Sequence, residues 1–239
     1  LSFTFCFARL VYCFIFAFFI IYLLIIFYYV SKEKISISYL SPITNFLKRY
    51  GKFAFFILLL ISLYRIADVV MGVMANIFYL EKGYKISEIA TFSKFFGVFA
   101  TIVGGFIGGY CSYKFGTMKA LFFGALIAAL SNLLFAWLAI SPTSINFLVA
   151  VITADNISSG FAGAAFVIYL SGLTSIKFTA TQYALFSSIM LFLPKLIAGY
   201  AGSWVDIMGY AYFFSFTAFL GIPVLLLIIW IGKVAPIKN

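Results

Sequence analysis

The sequence predicts an all-α integral membrane protein with about seven transmembrane helices, and three observations lead to this fold class. Of the 239 residues, 65% are hydrophobic and only 9% are charged, whereas soluble domains contain about 45–50% apolar residues. The mean hydropathy is +1.17. Seven apolar stretches, separated by short polar connectors, each reach the roughly 20 residues that a helix needs to cross a bilayer. We therefore expect most of the chain to lie in lipid.

The first predicted helix occupies residues 1–30, and a polar connector follows over residues 31–52. The helix is too long for a secretory signal and lacks a small-residue cleavage site, so we expect it to be retained. The connector contains most of the basic residues in this part of the chain and a short amphipathic patch. Since the sequence begins at Leu1 and has one helix before a long connector, we expect a truncated or split form of a larger protein.

The remainder of the chain, residues 53–239, is predicted to form a six-helix bundle. Its spans are residues 53–80, 89–110, 120–140, 147–173, 180–205 and 210–231. Glycine and proline mark the turns between them, as at Gly116 and Gly209. The six spans divide into two three-helix repeats, because an acid lies in the first helix of each trio and a lysine in the second. Inverted three-helix repeats are a common architecture of secondary transporters.

The basic residues predict which side of the membrane each loop faces. Alternate loops give ten lysines and arginines on one side and two on the other, so the first side is predicted to be cytoplasmic. The connector and the C-terminus then lie inside. The net charge of +10 reflects this orientation signal, and the scattered loops do not form a nucleic-acid surface.

The composition excludes most enzyme chemistry. Histidine is absent and there are three cysteines, so a His/Cys metal site, a Ser-His-Asp triad and a Cys-His pair cannot be built. A glycine loop followed by the Lys-Ser/Thr pair that binds phosphates is also missing from the sequence. We expect no enzyme, no cofactor, no metal and no ATP-driven step.

Polar residues inside the apolar spans are the candidate functional residues, because charges at that depth are costly and usually mark a substrate or proton path. They are Arg65, Asp68, Lys94, Asp155, Asn156 and Lys195. Structural alternatives remain open for four of them, and for Lys94 the alternative is that its long side chain reaches the outer membrane interface. Arg65 and Asp68 could form a self-neutralising pair that only holds helices together, and Asn156 could be an interhelical hydrogen-bonding residue.

Glycines at four-residue spacing add a packing prediction. Gly104 and Gly108, and likewise Gly105 and Gly109, form small-xxx-small pairs that allow close approach of helix backbones in lipid. We expect Gly160 and its small neighbours to do the same in the span over residues 147–173.

Several strings resemble the AmpG-type muropeptide permeases of the major facilitator superfamily. The first is YRIADVVMGVMAN at residues 64–76, and others lie at residues 88–94, 101–109, 129–135, 154–156 and 178–185. Together they extend over about residues 42–230. The turn from Gly109 through Lys114 and Gly116 to Lys119 is similar to the gating loop of the superfamily, although Tyr113 stands where that motif usually has Asp.

The resemblance implies the second half of a major facilitator transporter, in which residues 1–30 correspond to the sixth helix of the family. It implies proton-coupled import of anhydro-muropeptides across the bacterial inner membrane for cell-wall recycling. Asp68 and Asp155 would couple protons, while the other candidates in the spans would bind the anionic glycopeptide. A separately encoded N-terminal half is one expected partner. The alternatives are a related permease for another anionic cargo, such as an acyl-coenzyme A, and an inactive remnant or membrane interaction protein.

Overall fold

The structure is a computed structural model that describes residues 36–234. The predicted first transmembrane helix, residues 1–30, lies outside the described residues. Every element within the described range is helical, which agrees with the predicted all-α class. The chain divides into two compact units at Tyr50.

The described part of the first unit is one helix, α1 (Ser36–Tyr50). The predicted polar connector is therefore helical over most of its length. The helix ends with Lys48 and Arg49, whose positive charges are favourable near the carbonyl end of a helix. The Arg49 guanidinium lies 4.9 Å from the centre of the Tyr50 ring, and its Nη2 donates to the Tyr50 hydroxyl at 2.7 Å.

The second unit contains the remaining helices. They are α2 (Ala54–Leu63), α3 (Ile66–Glu81), α4 (Ile86–Ile89), α5 (Gly97–Phe115), α6 (Thr117–Ile140), α7 (Ile145–Leu173), α8 (Thr179–Ala198), α9 (Ala201–Phe219) and α10 (Gly221–Val234). Six helical stretches of the described range are long and apolar enough to cross a membrane: Leu40–Glu81, Ile86–Phe115, Thr117–Ile140, Ile145–Leu173, Ile176–Ala198 and Ala201–Val234.

Three predicted spans differ from the structure because they contain breaks, and one of them is the span at residues 210–231, which is interrupted at Leu220 between α9 and α10. The span at residues 53–80 is interrupted at Tyr64 and Arg65, where Arg65 has φ −96° and ψ 9°. The span at residues 180–205 is interrupted after α8, at Gly199 and Tyr200. None of these breaks removes a predicted crossing, but each divides its span between two helices.

The turns predicted at two glycines are confirmed by the backbone. Gly116 joins α5 to α6 with φ +90°, and Gly209 has φ +76° and ψ 165° within α9. Side chains with a Cβ atom rarely adopt positive φ, whereas glycine does so at no steric cost. The reversal at Gly209 lies where the sequence predicts the turn between the last two spans.

Helices α5 and α7 pack backbone to backbone. A Cβ atom at Gly104 would clash with the Ile157 carbonyl, and one at Gly108 would lie 2.5 Å from the Phe161 carbonyl oxygen. Gly160 makes the reciprocal contact from α7. The predicted second pair was wrong at Gly109, which has no atom within 4 Å of such a Cβ. Gly105 lies at the margin of the contact: its own Cβ would have one neighbour, at 3.9 Å, while its backbone nitrogen lies 3.0 Å from the Cβ position of Gly160.

Helices α3, α6 and α9 meet in an aromatic cluster on another side of α6. Phe78, Phe135 and Phe214 are completely or almost completely buried. The Phe214 ring is in aromatic contact with the rings of Phe78 and Phe135. Tyr79 stacks on Phe135 with 6.0 Å between ring centroids. This cluster anchors the C-terminal end of α3, far along the helix from its break.

Candidate functional site

The break between α2 and α3 brings the first two candidate residues together. Arg65 lies at the break and Asp68 in the first turn of α3, with 3.3 Å between Arg65 Nε and Asp68 Oδ2. Their side chains are 25% and 13% exposed. This is the one ion pair formed within residues 36–234. The positive end of the α3 dipole also favours the Asp68 carboxylate.

The Arg65 side chain extends from the break to α7. Its Nη2 donates to Ser159 Oγ at 3.3 Å, and its Nη1 lies 3.6 Å from the position that a Cβ would occupy at Gly163. Residues four apart are neighbours on one face of a helix. Asp155, Ser159 and Gly163 therefore share the α7 face on which the guanidinium lies, with Asp155 one turn before Ser159.

Asp155 is held by hydroxyl groups rather than by a basic side chain. Ser131 Oγ on α6 lies 3.3 Å from Asp155 Oδ1, and Ser158 Oγ lies 3.2 Å from Ser131 Oγ. Both serines are 3% exposed. They also line a groove of about 480 Å³ between α6 and α7 whose other walls are apolar. The buried hydroxyl groups of Ser131 and Ser158 thus lie between the groove and Asp155.

Tyr64 fixes the break from the other side. Its hydroxyl donates to the carbonyl oxygen of Leu121 at 3.2 Å, and the Ala162 carbonyl is 3.5 Å away. Its ring stacks on Phe166 with 4.4 Å between centroids. Gly124 provides the space, because a Cβ there would come within 2.7 Å of the Tyr64 hydroxyl. Tyr64 and Arg65 together tie the break to α7.

Asn156 lies in the contact between α5 and α7. Its Oδ1 accepts from Thr101 Oγ1 at 3.0 Å, its Nδ2 donates to the Ile152 carbonyl at 2.8 Å, and Gly97 makes room for the amide. The structure thus places Asn156 where the interhelical alternative expects it. One amide hydrogen and one acceptor position stay available for a ligand.

The two candidate lysines lie apart from this cluster. Lys94 is exposed and lies within the π-helical segment Ala90–Phe96 between α4 and α5. Single π turns inside helices are frequent at functional sites. Lys195 follows Pro194 in α8 and is also exposed. The spans that contain these lysines, Ile86–Phe115 and Ile176–Ala198, are the least buried of the six.

The predicted gating loop forms a tight turn. Gly116 ends α5 and begins α6, and Lys114 and Lys119 are exposed on either side of it. The Lys114 ammonium lies 5.7 Å from the centre of the Tyr110 ring. Tyr113 is 89% exposed, so it presents a phenol where the related motif has a carboxylate. Gly109 lies one turn before this segment on α5, outside the tight contact with α7.

Sequence reasoning missed the residues that connect the candidates. Ser131, Ser158 and Ser159 are polar residues deep inside apolar spans, and that depth was the available signal. Tyr64 gave no signal, because a tyrosine among apolar residues is common in membrane helices. Within the described residues, no group of three His, Cys, Asp or Glu side chains could hold a metal ion.

Comparison with known proteins identifies relatives that are named as transporters. The chain is 36% identical over 210 residues to the protein named "Putative transporter AmpG 4" of Rickettsia felis. This alignment covers 84% of the chain and 50% of the relative. It is 37% identical over 189 residues to "Putative transporter AmpG 1" of Rickettsia bellii, covering 78% and 46%. It is 32% identical over 217 residues to "Putative transporter AmpG 2" of the same organism, covering 89% and 53%. No protein-family profile matches the chain.

Proposed function

Because the chain belongs to the family of AmpG-type transporters and spans about half the length of the curated relatives it matches, we propose that it is one half of a secondary transporter. Its cargo on this proposal is an anhydro-muropeptide, a small anionic glycopeptide, imported with protons across the bacterial inner membrane. The observation that carries the proposal is the Arg65–Asp68 pair at a helix break inside a membrane span, joined to α7 through Ser159.

The chemistry of this pair suits a proton-coupled anion site. A guanidinium has five N–H donors in a fixed fork that matches a carboxylate. Arg65 donates a hydrogen bond from Nη2 to Ser159, and its Nε lies 3.3 Å from Asp68 Oδ2 without forming a hydrogen bond, so further donors are available to an incoming carboxylate. A cargo carboxylate on Arg65 would compete with Asp68, and a proton taken up by Asp68 would release the guanidinium. This exchange links cargo binding to proton uptake.

The remaining candidates have supporting roles in the proposal. Lys94 and Lys195 are exposed on the two least-buried spans, and a lysine that faces lipid at such depth is costly. We assign the exposed faces of these two spans to the cavity and to the contact with the first half of the transporter, where Lys94 and Lys195 attract anionic cargo. Asp155 is the second proton-coupling residue, and Asn156 lines the cavity. The loop from Gly109 to Lys119 acts at the cytoplasmic end, with the C-terminus inside.

The test is uptake of radiolabelled anhydro-muropeptide by a bacterial host that lacks its own AmpG-type permease. The chain is produced alone and together with a first-half partner, with and without a protonophore. We expect uptake only with the partner, and we expect the protonophore to abolish it. Asp68→Asn should remove uptake, whereas the matched change Asp206→Asn, at an exposed acid near the Gly209 turn, should not.

Other outcomes would contradict the proposal in different ways. Uptake that survives Asp68→Asn would contradict the coupling role of Asp68. Uptake of an acyl-coenzyme A instead of the glycopeptide would replace the cargo. No uptake of either cargo with any first half would favour an inactive remnant or a membrane interaction protein.

A further inference from the structure

Three charged groups meet where α3 begins, and their charges do not balance. Arg65 contributes one positive charge, while Asp68 and Asp155 contribute two negative charges when both are ionised. Arg65 forms an ion pair with Asp68, and no ion pair within residues 36–234 involves Asp155. A buried charge is costly unless it is paired and hydrogen-bonded. Asp155 therefore needs a countercharge that its hydroxyl neighbours do not supply.

The elements packed around Asp155 show where a countercharge can come from. The formal charges that act on Asp155 are those of Arg65 and Asp68, both at the start of α3. The other titratable groups facing the cluster are phenols: Tyr79 on α3 interacts with Asp155, and Tyr64 interacts with Asp68 and Arg65. Phenols carry no positive charge. Arg65 is thus the cation within reach of both carboxyl groups.

The path of the Arg65 side chain supports sharing between the two acids. Its Nε contacts Asp68, while its Nη2 donates to Ser159, one turn from Asp155 on the same face of α7. Neighbours at this spacing have Cβ atoms about 5–6 Å apart. Gly163 leaves the adjoining surface without a side chain, so the guanidinium has space on that face.

We infer that Arg65 is the shared countercharge of Asp68 and Asp155, and that Ser159 is the positioning residue that holds the guanidinium between them on α7. In the arrangement described, Arg65 pairs with Asp68. When Asp68 is neutral, the guanidinium, still held by Ser159, pairs with Asp155 instead. The functional consequence, an exchange of partners during transport, rests on the proposed function, but the sharing itself is a property of the cluster and has its own test.

The test is a double-mutant cycle on the full chain, with the midpoint of unfolding in detergent as the readout. Asp155→Asn leaves the neutral Arg65–Asp68 pair and should lower the midpoint little. Asp68→Asn should also be tolerated, because Arg65 then pairs with Asp155. The double variant leaves Arg65 without an acid and should lose far more than the sum of the two single changes. Additive losses would overturn the inference, because the two acids would then not depend on one cation.

Variants that fail to fold also give an answer, because the amount of protein in the membrane can be measured by immunoblot. Adding Arg65→Gln to the double variant removes the unpaired cation, so the triple variant should accumulate where the double variant does not. A triple variant that accumulates no better would contradict a shared countercharge.

The role of Ser159 is tested with a neighbouring serine as the matched control. In an Asp68→Asn background, the protein depends on Arg65 reaching Asp155, so Ser159→Ala should lower the midpoint more in that background than in the wild-type background. Ser158→Ala should change both backgrounds equally, since Ser158 contacts Ser131 and the Asp155 carbonyl rather than Arg65. Equal effects of Ser159→Ala in both backgrounds would show that it does not position the guanidinium. If muropeptide uptake fails but the cycle is non-additive, the proposed function falls while the shared countercharge stands.

Discussion

The close contact between α5 and α7 allows a sharp test with two neighbouring glycines. Gly104 faces the Ile157 carbonyl so closely that an added methyl group would clash with backbone. Gly105, the next residue of the same helix, has its nearest neighbour 3.9 Å from the position of an added Cβ. Gly104→Ala and Gly105→Ala are therefore the same chemical change on two faces of one helix.

The magnitude follows from two terms that act on the two variants differently. Alanine favours a helix over glycine by about 1 kcal/mol, and this gain is common to both variants. Overpacking costs about 1–3 kcal/mol and applies only to Gly104→Ala. The clash is with the backbone of α7, which cannot move aside as a flexible side chain can, so we expect the upper part of that range. The two variants should differ by about 2–3 kcal/mol.

The assay is reversible unfolding of the detergent-solubilised protein by sodium dodecyl sulfate, followed by circular dichroism. Gly105→Ala should be as stable as the wild type or more stable, and Gly104→Ala should be less stable. Equal stability of the two alanine variants would refute the reasoning, because it would mean that α5 does not present Gly104 to α7.

Three further predictions use single changes. Tyr64→Phe should lower the free energy of unfolding by about 0.5–1.5 kcal/mol, because it removes one buried hydrogen bond of the hydroxyl and keeps the ring stacking. An unchanged stability in chemical unfolding would show that the hydroxyl does not hold the break. Lys82→Gln should cost about 1 kcal/mol, since the ammonium donates to two carbonyl oxygens at the end of α6, at 2.7 and 2.6 Å. The exposed Lys85→Gln should cost nothing measurable in the same unfolding assay. Lys195→Gln should reduce uptake of anionic cargo without altering the unfolding midpoint, whereas Lys233→Gln should leave uptake intact; equal uptake by both variants would argue against a cargo role for Lys195.

Much of the helical architecture was predictable because long apolar runs can cross a membrane only as helices. The turns at Gly116 and Gly209 were also predictable, since only glycine accommodates their positive φ without strain. The break at Tyr64 and Arg65 was not. Neither residue is a helix breaker, and the break is held by contacts with α6 and α7 that come from distant parts of the sequence.

The candidate site, like the fold, was only partly predictable from the sequence. The depth of Arg65 and Asp68 within an apolar span, and their spacing of three residues, left an Arg–Asp pair as one open alternative, and the two side chains do pair. The connection to Ser159 and the hydroxyl pair beside Asp155 depend on the rotation of each helix about its axis. The spacing of glycines in the sequence does not define that rotation, which is why Gly109 was wrongly expected in the contact and Gly105 lies only at its margin.

The glycine contact between α5 and α7 also acts as a seal. From Gly97 to Gly108 the helix rises about 16 Å, which is about half the thickness of the hydrocarbon layer. Along this length α7 backbone and the Asn156 amide occupy the places where side chains would otherwise stand, so a gap that rejects a methyl group also rejects a file of water. A contact between two helix backbones has no alternative side-chain rotamers, so this barrier stays closed. Water is thereby excluded from the contact between α5 and α7.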